Sequence, residues 1–141
     1  MKIAYTAHAK ATGNGRNGIS ATENGRVTVT LATPTEMGGT GKGTNPEELF
    51  AVGYGACFLG AMRFVAGRDK IAMPAEATVA PAVSIGPRDD GQGFGIEVTL
   101  TISLPGMDKA AAEDLVKRGH VVCPYSHSIK GNVNVTSNVN V

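Results

Sequence analysis

The sequence predicts an α+β protein, mostly antiparallel sheet around one central apolar helix that carries a cysteine. Three observations lead there. Runs with apolar residues at every second position lie toward both ends of the chain, the signature of half-buried strands. The stretch NPEELFAVGYGACFLGAMRFVAGRD, residues 45–69, is long, apolar and opened by helix-start signals. A second helical segment follows later, so strands, helix, strands, helix and strand succeed one another without the regular β-α alternation of a parallel sheet. With 141 residues and no linker, repeat or low-complexity tract, one domain spanning 1–141 is expected.

The elements follow in order. Ile3, Tyr5, Ala7 and Ala9 alternate with Lys2, Thr6, His8 and Lys10, which predicts a first strand. ATGNGRNG then reads as a glycine-rich loop carrying Arg16. ISATENGRVTVTLA reads as two short strands around Asn24-Gly25, a strong hairpin signal. TPTEMGGTGKGTNPEE is a loop into the first helix. Asn45 can cap that helix, Pro46 suits its first position, and Glu47 and Glu48 complement its positive end. Gly67 is the expected stop.

Ala77, Val79, Val83 and Ile85 predict a strand, and Pro81 within it suggests an edge or a bulge. After the turn GPRDDGQG, the residues Ile96, Val98, Leu100, Ile102 and Leu104 share one strand face. The second helix is capped by Asp108 and ends near Gly119 to Val121, with acidic residues early and basic residues late. VCPYSHSIKGN reads as a turn, and Val133, Val135, Val139 and Val141 place a strand at the end.

Composition narrows the function. The net charge is +1, with no basic block, so neither nucleic acid nor anionic membrane is indicated. The N-terminus lacks the apolar core of a signal peptide. Glycines and Arg63 interrupt the longest apolar run, which argues against a membrane span. Two cysteines without a C-x-x-C motif fit a reduced, cytoplasmic protein whose thiols are inert, catalytic or sensing.

Both thiols have bland and chemical readings. On a helix, Cys57 neighbours Gly53, Tyr54, Gly60 and Ala61, all small except Tyr54. A glycine inside a helix costs about 1 kcal/mol against alanine, so these positions ask for a close neighbour or a ligand. Phe50, Phe58, Leu59, Met62 and Phe64 surround them. From this stretch alone Cys57 reads first as an inert core thiol, whose acidity burial weakens, and otherwise as a nucleophile that requires a cation and access. Cys123 precedes Pro124 and is therefore held in extended geometry beyond the second helix, where a thiol can meet another. A metal set of Cys57, His120, Cys123 and His127 is a further reading, but its spacing matches no familiar zinc pattern. Arg16, flanked by glycines, is either solvated or able to fold over a pocket and hold a thiolate and a carboxylate together. Glu47 is accounted for by the helix dipole alone.

GRNG, NPEELFAVGYGACF and HVVCPYSHSIKGNVNV occur in the order and spacing of the organic hydroperoxide resistance proteins, the Ohr branch of the Ohr/OsmC family, which the chain resembles over nearly its whole length. The resemblance implies an OsmC-like intertwined homodimer with active sites at the interface. It implies a thiol peroxidase without metal or other cofactor, re-reduced by a dihydrolipoyl dithiol on another protein. By position, Cys57 matches the peroxide-attacking cysteine, Cys123 the resolving cysteine, and Arg16 and Glu47 the charged pair that supports the thiolate. Glu48 stands where the family often has Gln, and His127 where Asn is common.

The implied cycle asks Arg16 to lower the pKa of Cys57 and Glu47 to orient Arg16. Helix geometry adds a condition. Ten residues separate Glu47 from Cys57, about 15 Å along the axis, so one guanidinium cannot bond both on one straight helix. Either the helix starts later than Pro46, or Glu47 reaches the thiol from a second subunit; the second is expected, through antiparallel crossing of two helices at a small face of Gly53, Gly60 and Ala61.

Overall fold

The computed structural model describes all residues from Met1 to Val141. The chain forms two compact units, Met1–Leu49 and Phe50–Val141.

The first unit holds an antiparallel sheet of β1 (Ala9–Gly13), β2 (Gly18–Thr22) and β3 (Thr28–Thr30), in that order. The strand expected over the first residues starts later than their alternation suggests. Residues 1–8 form no strand, and Ile3 and Tyr5 are 64% and 77% exposed. Period-two patterning marks a face that can be buried but supplies no covering layer, and none lies on β1, whose residues are all exposed. The glycine-rich loop is correspondingly shorter. Ala11–Gly13 belong to β1, and Gly13 pairs with Gly18 across the turn that carries Arg16. A Cβ on Gly18 would lie 1.9 Å from the Thr12 carbonyl oxygen, so only glycine closes this hairpin. The Asn24-Gly25 turn forms as expected, with Gly25 at φ 70° and its N–H donating to the Thr22 carbonyl. Leu31 pairs with Thr44 in an isolated parallel bridge.

Helix α1 spans Pro46–Asp69. Asn45 caps it, its side-chain oxygen accepting from the Glu48 N–H at 2.9 Å. It runs through Gly67 to Asp69, where Lys70 turns left-handed at φ 55° and the Ile71 N–H donates to the Ala66 carbonyl. Burial of Val65 and Ala66 offsets the cost of Gly67 and keeps the last turn wound.

In the second unit, β4 (Thr78–Pro87), β5 (Phe94–Ser103) and β6 (Asn134–Asn140) form a sheet in that order. β4 and β5 are antiparallel, with Pro81 opposite Leu100, and β4 is an edge strand, which tolerates the missing N–H. β6 pairs with β5 in parallel. A parallel pair needs a long crossover, and helices α2 (Lys109–Val122) and α3 (Pro124–Ile129) supply it. The Asp108 side chain caps α2, accepting from the Ala111 N–H at 2.9 Å. The expected turn after Cys123 is instead α3, because Pro124 suits a first helical position.

Within the second unit, one core joins the sheet to the helices. Val98, Leu100, Ile102 and Leu104 face Tyr54, Phe58, Met62 and Val65 of α1, with Leu115 and Val116 of α2. Truncating any of the larger ones to alanine costs about 2–5 kcal/mol. Length and composition alone make α1 apolar enough to cross a membrane despite Arg63. Its buried stripe instead packs on the sheet and α2, as a core helix does.

Candidate active site

Two pairs of side chains stand out, one in each unit. In the second, Cys57 Sγ lies 3.4 Å from Cys123 Sγ, and both cysteines are free. A disulfide is about 2.0 Å long, so closure needs only a small approach. Cys57 is half-buried and Cys123 is 0% exposed. Cys123 has φ −65° and ψ 119°, the extended geometry that Pro124 imposes, and it both ends α2 and opens α3. Its N–H donates to the Gly119 carbonyl and its own carbonyl accepts from the His127 N–H, which fixes the corner.

The glycines of α1 have distinct uses. A Cβ on Gly53 would lie 3.0 Å from the Tyr125 hydroxyl oxygen, so Gly53 lets the Tyr125 ring lie against the helix beside Cys57. A Cβ on Gly55 would meet Pro81 of β4 at 3.1 Å, while Gly60 faces open space. The small face expected for helix crossing is therefore split. Gly53 is occupied by Tyr125 and Ala61 is in the core, leaving Gly60 as its only open member.

Burial, first of all, pushes the Cys57 thiol pKa up. The Tyr125 backbone N–H pulls it down, and the neighbouring Cys123 raises it further. The lowering expected from an arginine has no source within this unit, so the thiol is by itself a weaker acid than an ordinary cysteine.

The first unit holds the second pair. Arg16 donates to both carboxylate oxygens of Glu47, at 2.9 and 2.5 Å. This two-pronged bond raises the Arg16 pKa and lowers that of Glu47. Glu47 sits in the first turn of α1, so a later helix start is not what brings it to an arginine. The four expected site residues thus come together as Arg16 with Glu47 and as Cys57 with Cys123.

The remaining candidates resolve differently. His120 is engaged by two serines, its Nδ1 2.9 Å from Ser126 Oγ and its Nε2 2.9 Å from Ser137 Oγ. No group of three or more His, Cys, Asp or Glu gathers as metal ligands would. His127 is exposed, and Glu48 accepts from the Thr44 hydroxyl. Sequence reasoning missed the 2.8 Å hydrogen bond between Ser126 Oγ and the Tyr54 hydroxyl. One signal was available: Ser137 interrupts the apolar face that Val133, Val135 and Val139 share.

Comparison with known proteins agrees with this scaffold. Residues 39–138 match the family model of the OsmC-like proteins. The chain is 51% identical over 136 residues to an organic hydroperoxide resistance protein of Xanthomonas axonopodis pv. citri (strain 306), covering 96% of this chain and 94% of that one. The structure of an organic hydroperoxide resistance protein OsmC from Legionella pneumophila superposes with a TM-score of 0.93 at 44% identity, covering 99% of this chain and 100% of that one. The structure of a putative organic hydroperoxide resistance protein from Vibrio cholerae O1 biovar eltor, with captopril in one of its active sites, gives 0.92 at 42% identity, covering 99% and 94%. Sequence, scaffold and thiol pair converge: the chain belongs to the Ohr/OsmC family, in its organic hydroperoxide resistance branch.

Proposed function

We propose that the protein is a cysteine-based peroxidase that reduces organic hydroperoxides to alcohols in the response to oxidative stress. The observation that carries this reading is the 3.4 Å approach of the two free sulfurs, one half-buried and one wholly buried. The Cys57 thiolate attacks the distal oxygen of ROOH, the O–O bond breaks, and ROH leaves a sulfenic acid on Cys57. Cys123 displaces the hydroxyl as water and the disulfide forms. A dithiol then reduces it by exchange, and a dihydrolipoyl group on another protein suits that step. The Tyr125 ring, which lies against α1 at Gly53 and packs on Phe50, gives the surroundings of Cys57 an apolar surface that favours an R group able to bury area over hydrogen peroxide.

Thiolate formation needs a cation, and Arg16 held by Glu47 is the one we assign. The pair stabilises the thiolate and the charge growing on the leaving oxygen. In this reading the protein is a homodimer of single-domain chains spanning residues 1–141, in which the Arg16–Glu47 pair of one subunit serves Cys57 of the partner subunit. Ten residues of helix between Glu47 and Cys57, about 15 Å, support that arrangement. So do the uncovered Ile3 and Tyr5. Thiols that must start each cycle reduced suit the cytoplasm.

The test mixes reduced protein, cumene hydroperoxide and a dihydrolipoyl donor. Peroxide loss is followed in wild type, Cys57→Ser and Cys123→Ser. Multiple turnovers in wild type alone are expected. A single stoichiometric oxidation would make the protein a sensor instead, and no reaction would leave the thiols structural.

A further inference from the structure

Cys57 and Cys123 sit on different elements, and closing a disulfide between them depends on placement. A displacement of about 1 Å between reacting groups costs on the order of 100-fold in rate. The corner that carries Cys123 is fixed within itself, its N–H donating to the Gly119 carbonyl and its carbonyl accepting from the His127 N–H. Neither bond reaches α1, so the 3.4 Å approach of the sulfurs needs a further tie.

That tie is a line of hydrogen bonds alongside the sulfurs. Tyr54 lies one helical turn before Cys57 on α1, and Ser126 one turn after Cys123 on α3. Their hydroxyls meet at 2.8 Å. Apart from the contacts of Cys57 itself, no other side-chain hydrogen bond joins α1 to α3. The Tyr125 ring also packs on Phe50 and Tyr54, but apolar contact has no preferred direction and lets one helix slide on another. Nor is α3 backed by packing on every side. Tyr54, Ser126, Ile129 and Val133 border a cavity of about 340 Å³, which leaves α3 space to shift. Ser126 is held from behind as well. Its Oγ lies 2.9 Å from His120 Nδ1, and His120 Nε2 lies 2.9 Å from Ser137 Oγ on β6. The imidazole packs on Phe58 with centroids 4.5 Å apart, which steadies its plane. The line therefore runs from the sheet through α2 and α3 to α1, and no buried side-chain polar atom along it lacks a partner. Such a fully satisfied buried network rigidifies what it joins.

We infer that Ser126 is the positioning residue of the thiol pair: anchored to the sheet through His120, it grips Tyr54 and so seats Cys123 against Cys57 for disulfide closure. The inference rests on the redox cycle proposed above. In the closing step the Cys123 sulfur attacks the sulfenic sulfur of Cys57. The S–S bond forms, the S–O bond breaks, and the departing hydroxide leaves as water with the proton that Cys123 gives up. Closure competes with a second hydroperoxide, which passes one more oxygen to Cys57, leaves as ROH and makes a sulfinic acid that a dithiol does not reduce. Seating Cys123 before oxidation shortens the life of the sulfenic acid and so protects the enzyme from its own substrate.

The test uses full-length protein and the variants Tyr54→Phe, Ser126→Ala and the two combined. Tyr54→Phe removes only the oxygen and keeps the ring among Phe50, Phe58 and Tyr125. It also serves if Ser126→Ala fails to fold. Stopped-flow oxidation by cumene hydroperoxide separates sulfenic acid formation from disulfide closure. In each variant, closure should slow on the order of 10-fold or more relative to the first step. Excess peroxide should leave a larger share of sulfinic acid, read by mass spectrometry. The combined variant should close no more slowly than Ser126→Ala, because one bond is lost in both. Equilibration with dithiothreitol, without peroxide, should show the disulfide of Tyr54→Phe disfavoured up to 10-fold, a potential less negative by up to about 30 mV. A wild-type closure rate in Tyr54→Phe would overturn the inference, and so would equal slowing of both steps, which marks a general disturbance of the site. A wild type inert to hydroperoxide would strike the peroxidase reading, and the dithiothreitol equilibrium would still decide whether the bond places the thiols: an unshifted potential in Tyr54→Phe would then overturn it.

Discussion

Cys57 and Cys123, 66 positions apart in the sequence, hold their sulfurs 3.4 Å apart while both remain free thiols. The contact joins the middle of α1 to the corner between α2 and α3, and the Tyr54–Ser126 hydrogen bond joins the same elements one turn away. Oxidation therefore closes a gap that the fold has already narrowed.

From this follows a division of labour that mass spectrometry can read. One equivalent of cumene hydroperoxide should convert wild type to the disulfide form. Cys123→Ser should accumulate a sulfenic acid on Cys57, trapped by dimedone. Cys57→Ser should stay unmodified, because Cys123 is sealed from solvent. Dimedone labelling of Cys123 in the Cys57→Ser variant would reverse the assigned roles.

The glycines of α1 should respond in opposite ways to the same change. A Cβ at Gly55 would press on Pro81 at 3.1 and 3.2 Å, where a proline ring in a paired strand has little room to yield. Gly55→Ala should destabilise by about 1–3 kcal/mol, as overpacking does. At Gly60 no atom lies within 4 Å, and alanine is the better helix former. Gly60→Ala should stabilise an isolated protomer by up to about 1 kcal/mol. Urea unfolding of both variants at several protein concentrations checks this. A destabilised Gly60→Ala whose midpoint depends on concentration would place a second subunit against that turn.

Which parts of this molecule could be read from its residues follows from the range of the forces involved. Asn45, Asp108 and the Asn24-Gly25 turn are local devices, settled within a few residues, and each acts as its sequence suggests. The alternation in β5 was legible because one face is buried from Val98 through Leu100 to Ile102. Ile3, Tyr5 and Ala7 alternate as clearly, yet nothing covers them within the chain, and periodicity cannot supply a missing layer. The parallel pairing of β6 with β5 depends on the path of the crossover, which leaves no mark on the valines of β6. At the site, motif resemblance singled out both cysteines, whereas burial, a tertiary property, sets the direction of the Cys57 shift. The Tyr54–Ser126–His120 line escaped notice because its members come from separate elements and carry no shared spacing.

Stability should carry the signature of the Arg16–Glu47 pair. Arginine holds the Glu47 pKa below the ordinary carboxylate range, so the folded state binds its proton less readily than the unfolded chain. The stabilisation is complete above the unfolded-state pKa and is lost as pH falls through the lowered folded-state value. The Arg16 side chain is 36% exposed, so solvent screening holds the effect to no more than about 1 kcal/mol. Glu47→Gln should therefore be less stable than wild type at neutral pH, and the gap should close in acid. A gap independent of pH would assign the loss to packing rather than to charge.

The reactivity of Cys57 should separate what its burial does from what Arg16 does. Burial raises the thiol pKa, so without a cation the thiolate becomes abundant only at pH values above those of an ordinary cysteine. If Arg16 supplies the missing charge, alkylation of wild type by iodoacetamide should rise at lower pH than alkylation of Arg16→Ala. The two profiles should meet at high pH, where both thiols are ionised. Hydroperoxide oxidation at neutral pH should slow in Arg16→Ala at least in proportion to the lost thiolate, and further if Arg16 also stabilises the leaving oxygen. Glu47→Gln should fall between the two, because the guanidinium remains but loses the carboxylate that holds it by two bonds. Superimposable alkylation profiles for wild type and Arg16→Ala would remove Arg16 from thiolate formation and require another source for the charge at Cys57.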